Sequence, residues 1–226
     1  MTDNKLQFYG QFEYKLDNYL YNTFFSDTYD GVSIEAGASD GVTDNTTKFF
    51  EAHMKWRTIN VEPLSGWYNK CVINRPSSVN INKALHPYYT DKDVTFSVPV
   101  IPTHGTLNHL GSLNEAHVRK YNTKIYTETV RTITYNRLIE DNNVQRLDLF
   151  VLDIEGYEII FLETFPEWKV LPNVFVIEVG HLNEDEITNM ISSKYVLYDK
   201  QYVNNIYVLR DWLNAYHSAQ ISNHLR

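Results

Sequence analysis

Short apolar runs, each closed by polar or turn-forming residues, recur along this 226-residue chain. Residues 32–36 (VSIEA) stop at Gly37, and 58–61 (TINV) stop at Glu62-Pro63. A fainter run covers 79–84. Residues 147–154 (LDLFVLDI) end at Glu155-Gly156, and 174–179 (VFVIEV) end at Gly180-His181. Runs of this length with such terminators predict strands. Two later runs, 195–198 and 206–209, predict a closing antiparallel hairpin. Residues 94–98 alternate polar and apolar, as in an exposed or antiparallel strand. Between the runs the spacing turns helical, over 46–55, 65–74, 134–141, 157–164 and 183–192, and near the start over 12–25.

Strands alternating with helices predict βαβ units. The fold class is therefore α/β, with a mainly parallel sheet covered by helices on both faces. The unbroken apolar runs at 147–154 and 174–179 suit central strands buried on both sides. The chain has no internal repeat, no low-complexity tract and no Pro/Gly/Ser linker, so one domain over 1–226 is expected, with a helical N-terminal segment at 1–28. Residues 101–129 break the pattern. They hold His104, His109, His117, Gly105, Gly111 and Ser112 with little periodicity. They read either as a lid or substrate loop or as a surface excursion containing a short helix.

Composition narrows the class. An apolar share of 43% with 21% charged residues is that of a soluble globular protein. The net charge is −8 and the basic residues are scattered, which argues against a nucleic-acid partner. The polar start and the lack of any run of about 18 apolar residues predict no signal peptide and no membrane span. The expected compartment is the cytoplasm, that of the host if the source is viral. The single cysteine, Cys71, makes no internal disulfide and reads as a small buried hydrophobe.

The strand ends carry the candidate chemistry, because open α/β sheets bind ligands beyond the carboxyl ends of their strands. Glu35-Ala-Gly37-Ala-Ser39-Asp-Gly41 spaces its glycines four apart, so the dinucleotide GxGxxG pattern fails and a nicotinamide dehydrogenase is disfavoured. An acid followed by Gly-x-x-x-Gly suits a cofactor without a pyrophosphate, such as S-adenosylmethionine. Glu62 at the second tip is placed to accept hydrogen bonds from ribose hydroxyls, or else is a helix-start acid. The third tip gathers Asp153, Glu155 and Glu158, costly together unless solvated, paired or metal-bound. Gly156 permits a sharp turn there, and Glu158 reads more simply as an acid in the first turn of a helix. Glu178 lies in an apolar run beside His181, a candidate base, ligand or loop residue.

Together these segments resemble the FkbM family of methyltransferases. The segments are YGQFEYKLDNYLYNTFF near the start, GVSIEAGASDGVTDNTTKFFE with Asp44-Asn45-Thr46, WRTINVEPLSGWYNKCVINRP, LDLFVLDIEGYEIIFLE and PNVFVIEVGH, in that order. The resemblance implies a Rossmann-like class I methyltransferase fold with a seven-stranded sheet. It also implies S-adenosyl-L-methionine as methyl donor, leaving as S-adenosyl-L-homocysteine. Glu35, Gly37, Ser39, Gly41, Asn45, Thr46 and Asp153 are then expected near the cofactor, Glu62 at its ribose and Ala84 near its adenine. Many members carry Lys before the signature Asp, where this chain has Leu152.

The expected function is O-methylation of a hydroxyl on a sugar, a glycan or a related small molecule. Asp153 or His181 would orient and deprotonate that hydroxyl, and Glu178 would hold or polarise the group. A variant adds Mg²⁺ on Asp153 and Glu178, although no metal ligand is assigned. Tyr88, Tyr89, Tyr121 and Tyr157 are the aromatic rings most open to a sugar-stacking role. The alternatives are an RNA 2′-O-methyltransferase, disfavoured by the acidic charge and Leu152, and a non-catalytic cofactor-binding module on the same fold.

Overall fold

The computed structural model describes residues 6–100, 110–180 and 182–224, with side chains described through residue 218. Helix α1 (Leu16–Leu20) runs into a π-helical turn (Tyr21–Phe25). Strand β1 (Val32–Ala36), helix α2 (Lys48–Met54), strand β2 (Arg57–Val61), helix α3 (Ser65–Asn74) and strand β3 (Val79–Ile81) form the first half. Strands β4 (Ala84–Leu85) and β5 (Asp93–Val100), helix α4 (Glu115–Arg119) and strand β6 (Lys124–Ile133) make an insertion. The second half is helix α5 (Tyr135–Asp141), strand β7 (Leu147–Leu152), helix α6 (Glu158–Leu162), strand β8 (Pro172–Glu178), helix α7 (Glu184–Ile191), strands β9 (Tyr195–Gln201) and β10 (Asn204–Leu209), and helix α8 (Arg210–His224).

The main sheet has seven strands in the order β3-β2-β1-β7-β8-β10-β9. Only β10 runs against its neighbours β8 and β9. This is the class I methyltransferase arrangement, with the expected antiparallel hairpin at its end. Both faces are covered. Ile34, Ala36, Phe150, Leu152 and Phe175 point to one core, closed by α5, α6 and α7. Leu149, Val151, Val174 and Val176 point to the other, closed by α2 and the N-terminal segment. The period of two along each strand thus divides its side chains between two cores, which is why β7 is buried at every position.

Aromatic rings fill both cores: Tyr135 stacks on Trp168 at 3.8 Å, and Phe50 on Trp56 at 4.5 Å. Each such side chain contributes about 1.5–3 kcal/mol on burial. The packing reading of the abundant aromatics holds for most of them.

The run at 79–84 is not one strand. It divides between β3 in the main sheet and β4, which pairs with β6 in a second sheet of order β4-β6-β5. Residues 93–100 are antiparallel to β6, as the alternation at 94–98 suggests. The segment 101–129 contains more order than its composition implies. Residues 101–109 lie outside the described residues, but the remainder holds α4 and the first half of β6. No helix of the described residues is long and apolar enough to cross a membrane.

Candidate active site

Backbone register sets the site. Val61 pairs with Ala36, Ala36 with Leu152, and Leu152 with Ile177. The next residue on each strand is therefore Glu62, Gly37, Asp153 and Glu178, all at one level of the sheet. Strand order reverses between β1 and β7, so this row straddles the switch point where such sheets bind ligands. A cavity of about 560 Å³ opens there, lined by Glu35, Gly37, Ser39, Glu62, Asp153 and Glu178 among others. A narrow slot adjoins it, walled by Val61, Glu62, Ala84, Leu85, Phe96 and Tyr157.

The loop after β1 is held from behind. Gly37 has φ +83°, and a Cβ there would lie 1.9 Å from the carbonyl oxygen of Asp153. Only glycine allows the two strand tips to approach so closely. Ser39 also adopts a left-handed φ of 49° and donates its N–H to Glu62 Oε2 at 2.9 Å. Glu35 accepts the N–H groups of Thr46 (2.8 Å) and Thr47 (2.9 Å) and the Thr47 hydroxyl (2.6 Å), which ties β1 to the start of α2. Burial raises its pKa against the pull of these bonds.

Gly41 and Asn45 sit inside the loop. Asn45 donates to Ala38 O and accepts from Lys48 N and from Arg75 Nη1, at 2.8 Å in the last case. The fully buried Arg75 also donates to Gly41 O and pairs with Glu51. The Asn-Arg-Pro segment after α3 is thereby a brace for the loop, Asn74 adding a bond to Asp40 O. Cys71 packs beneath Gly41, and burial pushes its thiol up to about 12, so it is the inert hydrophobe its context suggests.

Glu62 is buried, with one backbone N–H on each oxygen: Ser39 on one and Leu64 on the other. A carboxylate has about four acceptor sites, so acceptor capacity remains on the cavity side. Burial outweighs the two bonds and raises its pKa to about 7. Ala84 lines the slot beside it.

Asp153, Glu155 and Glu178 form the opposite wall. Asp153 Oδ2 accepts from Gln11 Nε2 at 3.2 Å, and Gln11 Oε1 accepts from Asn204 Nδ2 at 3.1 Å, so the N-terminal segment is clasped across the cavity. Burial and the charges of Glu155 and Glu178 raise Asp153 well above the usual carboxylate range. Glu155 is raised to about 7 by burial and by Glu178, while a bond from the Tyr121 hydroxyl lowers it. Glu178 Oε1 accepts the Gly180 N–H at 3.1 Å. Glu155 (φ 56°) and Gly156 (φ 83°) make consecutive left-handed turns. A Cβ on Gly156 would lie 2.3 Å from His117 Nδ1, so the expected sharp turn also makes room for a buried imidazole. His181 lies outside the described residues.

The sequence model of the methyltransferase FkbM domain matches residues 35–216, which run from the end of β1 through the other six strands of this sheet. The chain belongs to the FkbM methyltransferase family. Two solved structures are similar in outline. The methyltransferase FkbM of Methylobacillus flagellatus KT is 15% identical, with a TM-score of 0.45, over 82% of this chain and 46% of that one. The Escherichia coli protein yhhF, a proposed methyltransferase, is 8% identical, with a TM-score of 0.40, over 85% of each chain. This chain spans about half the length of the Methylobacillus protein. No curated protein is similar enough to add to this comparison.

Within this FkbM domain the site also uses residues that were not legible as site residues. Gln11 comes from a segment far from any strand tip in sequence. Trp67 and Lys70 on α3, and Asn204 opposite Glu178 on β10, line the cavity. Glu158, read first as a helix-start acid, is fully buried behind Asp153 and Glu178. Leu152 is buried in the core, so no cation stands where many family members have lysine. Of the four tyrosines singled out, Tyr157 lines the slot and Tyr121 bonds Glu155, while Tyr88 and Tyr89 are exposed.

Proposed function

We propose that this FkbM domain transfers a methyl group from S-adenosylmethionine to a hydroxyl of a sugar, a glycan or a related small molecule. The row of strand tips carries the proposal: a buried acid with spare acceptor capacity on one side of the switch point, and a wall of acids with raised pKa values on the other. S-adenosylmethionine supplies a methyl group on a good leaving group. The residues present fit it. Glu62 has acceptor sites left for two ribose hydroxyls, and the slot beside Ala84, Leu85 and Phe96 has the apolar walls a purine ring needs.

Ser39 and Thr46 edge the remainder of the cofactor half of the cavity. Asp153 is the group assigned to orient the acceptor hydroxyl and receive its proton. Gln11 holds one Asp153 oxygen, and both residues line the cavity. Glu178 and, from outside the described residues, His181 are assigned supporting roles in orienting the acceptor or carrying its proton. A base whose pKa is raised well above the usual carboxylate range is better suited to proton removal, which typically contributes about 10²–10⁴-fold in rate. The sugar class is supported by the cavity lining, which mixes the aromatic Phe12 and Trp67 with polar Asp40 and Asn204.

Calorimetric titration of S-adenosylhomocysteine into wild type and Glu62→Ala tests the cofactor half. Binding in wild type that is lost in the variant supports it, and a folded wild type that does not bind overturns it. Radiolabelled transfer to a panel of sugars and glycans, run beside an RNA substrate, tests the acceptor half. Transfer to RNA alone would refute the sugar assignment.

A further inference from the structure

We propose that Asp153, Glu158 and Glu178 hold one hard divalent cation at the inner wall of the cavity. One oxygen from each of the three lies within 4.8 Å of the others. Oxygens on opposite sides of an ion are about 4.2 Å apart for Mg²⁺ and about 4.6–5.2 Å for Ca²⁺. The trio therefore fits inside a single coordination shell, and three carboxylate oxygens are a donor set for that class of cation.

The second observation concerns Glu158 alone. Its Oε1 accepts the Ile154 N–H at 2.7 Å, whereas its Oε2 is fully buried with no hydrogen-bond partner. A buried acceptor left without a partner is costly, and more so when it is charged. Glu158 is not part of the cavity lining, so a cofactor or acceptor in the cavity does not meet it. A single ion between the trio does.

Charge balance points the same way. Among the described residues no lysine or arginine pairs with Asp153 or Glu158. Beside them Glu155 faces His117 at 3.8 Å, and burial lowers the His117 pKa, which favours the neutral imidazole. A dication compensates the carboxylates that the backbone brings together. Register places Asp153 beside Glu178, and the double left-handed turn at Glu155-Gly156 folds Glu158 back under them.

Asp153 and Glu178 are partly exposed to the cavity and Glu158 is buried, so the open coordination positions face the cavity. On the methyltransferase reading, an acceptor hydroxyl would occupy one of them and become more acidic. The binding site itself does not depend on that reading.

The test is titration of Mn²⁺ into metal-stripped protein at pH 8, followed by the electron paramagnetic resonance signal of free Mn²⁺. S-adenosylhomocysteine binding is measured on the same samples to report folding and the cofactor site. Wild type is expected to bind one Mn²⁺ per chain, displaced by Mg²⁺ or Ca²⁺. Glu158→Gln and Glu178→Gln are expected to weaken binding at least tenfold while still binding S-adenosylhomocysteine. Wild type that binds S-adenosylhomocysteine but no Mn²⁺ up to about 1 mM overturns the site. Mn²⁺ binding unchanged in Glu158→Gln overturns it too, by placing the ion elsewhere. Mn²⁺ binding without S-adenosylhomocysteine binding supports the metal site and refutes the methyltransferase reading.

Discussion

Glu62 should make cofactor binding depend on pH. Its carboxyl is raised to about 7 in the unliganded protein because burial outweighs the N–H groups of Ser39 and Leu64. Ribose hydroxyls donate to a carboxylate better than to a carboxylic acid, so the ionised form is the binding form. The apparent dissociation constant then scales as one plus the ratio of protonated to ionised Glu62. That factor is about 11 at pH 6 and about 1.1 at pH 8, so affinity should rise about tenfold, or about 1.4 kcal/mol, across the interval. Binding at pH 6 should release about 0.9 proton. Calorimetry of S-adenosylhomocysteine binding in buffers of differing protonation enthalpy reads both quantities. Glu62→Gln should bind weakly at every pH and lose the slope. Affinity that is flat from pH 6 to 8 in wild type, or a slope that survives in Glu62→Gln, would refute the reasoning; the second outcome would move the titration to Glu155.

Four further outcomes follow from the geometry. Gly37→Ala puts a Cβ against Asp153 O at a left-handed φ, so it should cost about 1–3 kcal/mol in urea unfolding and weaken S-adenosylhomocysteine binding. Gln11→Ala removes the hydrogen bond that lowers the Asp153 pKa; in metal-stripped protein the Asp153 carboxyl should ionise at higher pH than in wild type, read by infrared difference titration. Arg75→Met leaves Glu51 with Lys48 and Ser78 but takes the donor from the loop carbonyl of Gly41, for an expected loss of about 1–3 kcal/mol by chemical denaturation. Asp17 (about 6), Glu62 (about 7) and Glu155 (about 7) all have folded pKa values above their unfolded ones. Their stabilisation is complete below the unfolded values and is lost as pH rises through the folded ones. The Tm of the ligand-free, metal-free protein should therefore fall between pH 5 and pH 8, and scanning calorimetry checks it.

The main sheet was legible because its central strands are short, mostly apolar runs that stop at glycine or an acid. Those two signals survive without knowledge of any partner strand. The same property exposed Glu62, Asp153 and Glu178, since each immediately follows the last strand residue or ends the strand itself. Strand β6 was missed because both of its faces meet solvent over much of its length, and KIYTETVRTI carries no clean alternation. The break between β3 and β4 was invisible because Asn82 and Lys83 look like ordinary strand-edge residues, and only pairing with β6 assigns Ala84 to another sheet. Glu158 stands in the first turn of α6, as its position suggested, but its burial was not legible. A first-turn acid satisfies the helix dipole in any context, and its burial depends on a turn made by two left-handed residues. Gln11 has no local signal at all, because its role depends on Asn204, 193 residues away.

That long-range clasp bears on how the protein is made. Strand β8 meets β7 early, but its other neighbour is β10, so Glu178 waits for Asn204 before its side of the sheet is closed. Gln11 in turn spans Asp153 and Asn204. A nascent chain therefore carries its glycine loop and both halves of its acid wall well before the piece that joins them leaves the ribosome. The wall that faces the cavity is therefore closed only after residue 204 has been made, long after the glycine loop and Asp153.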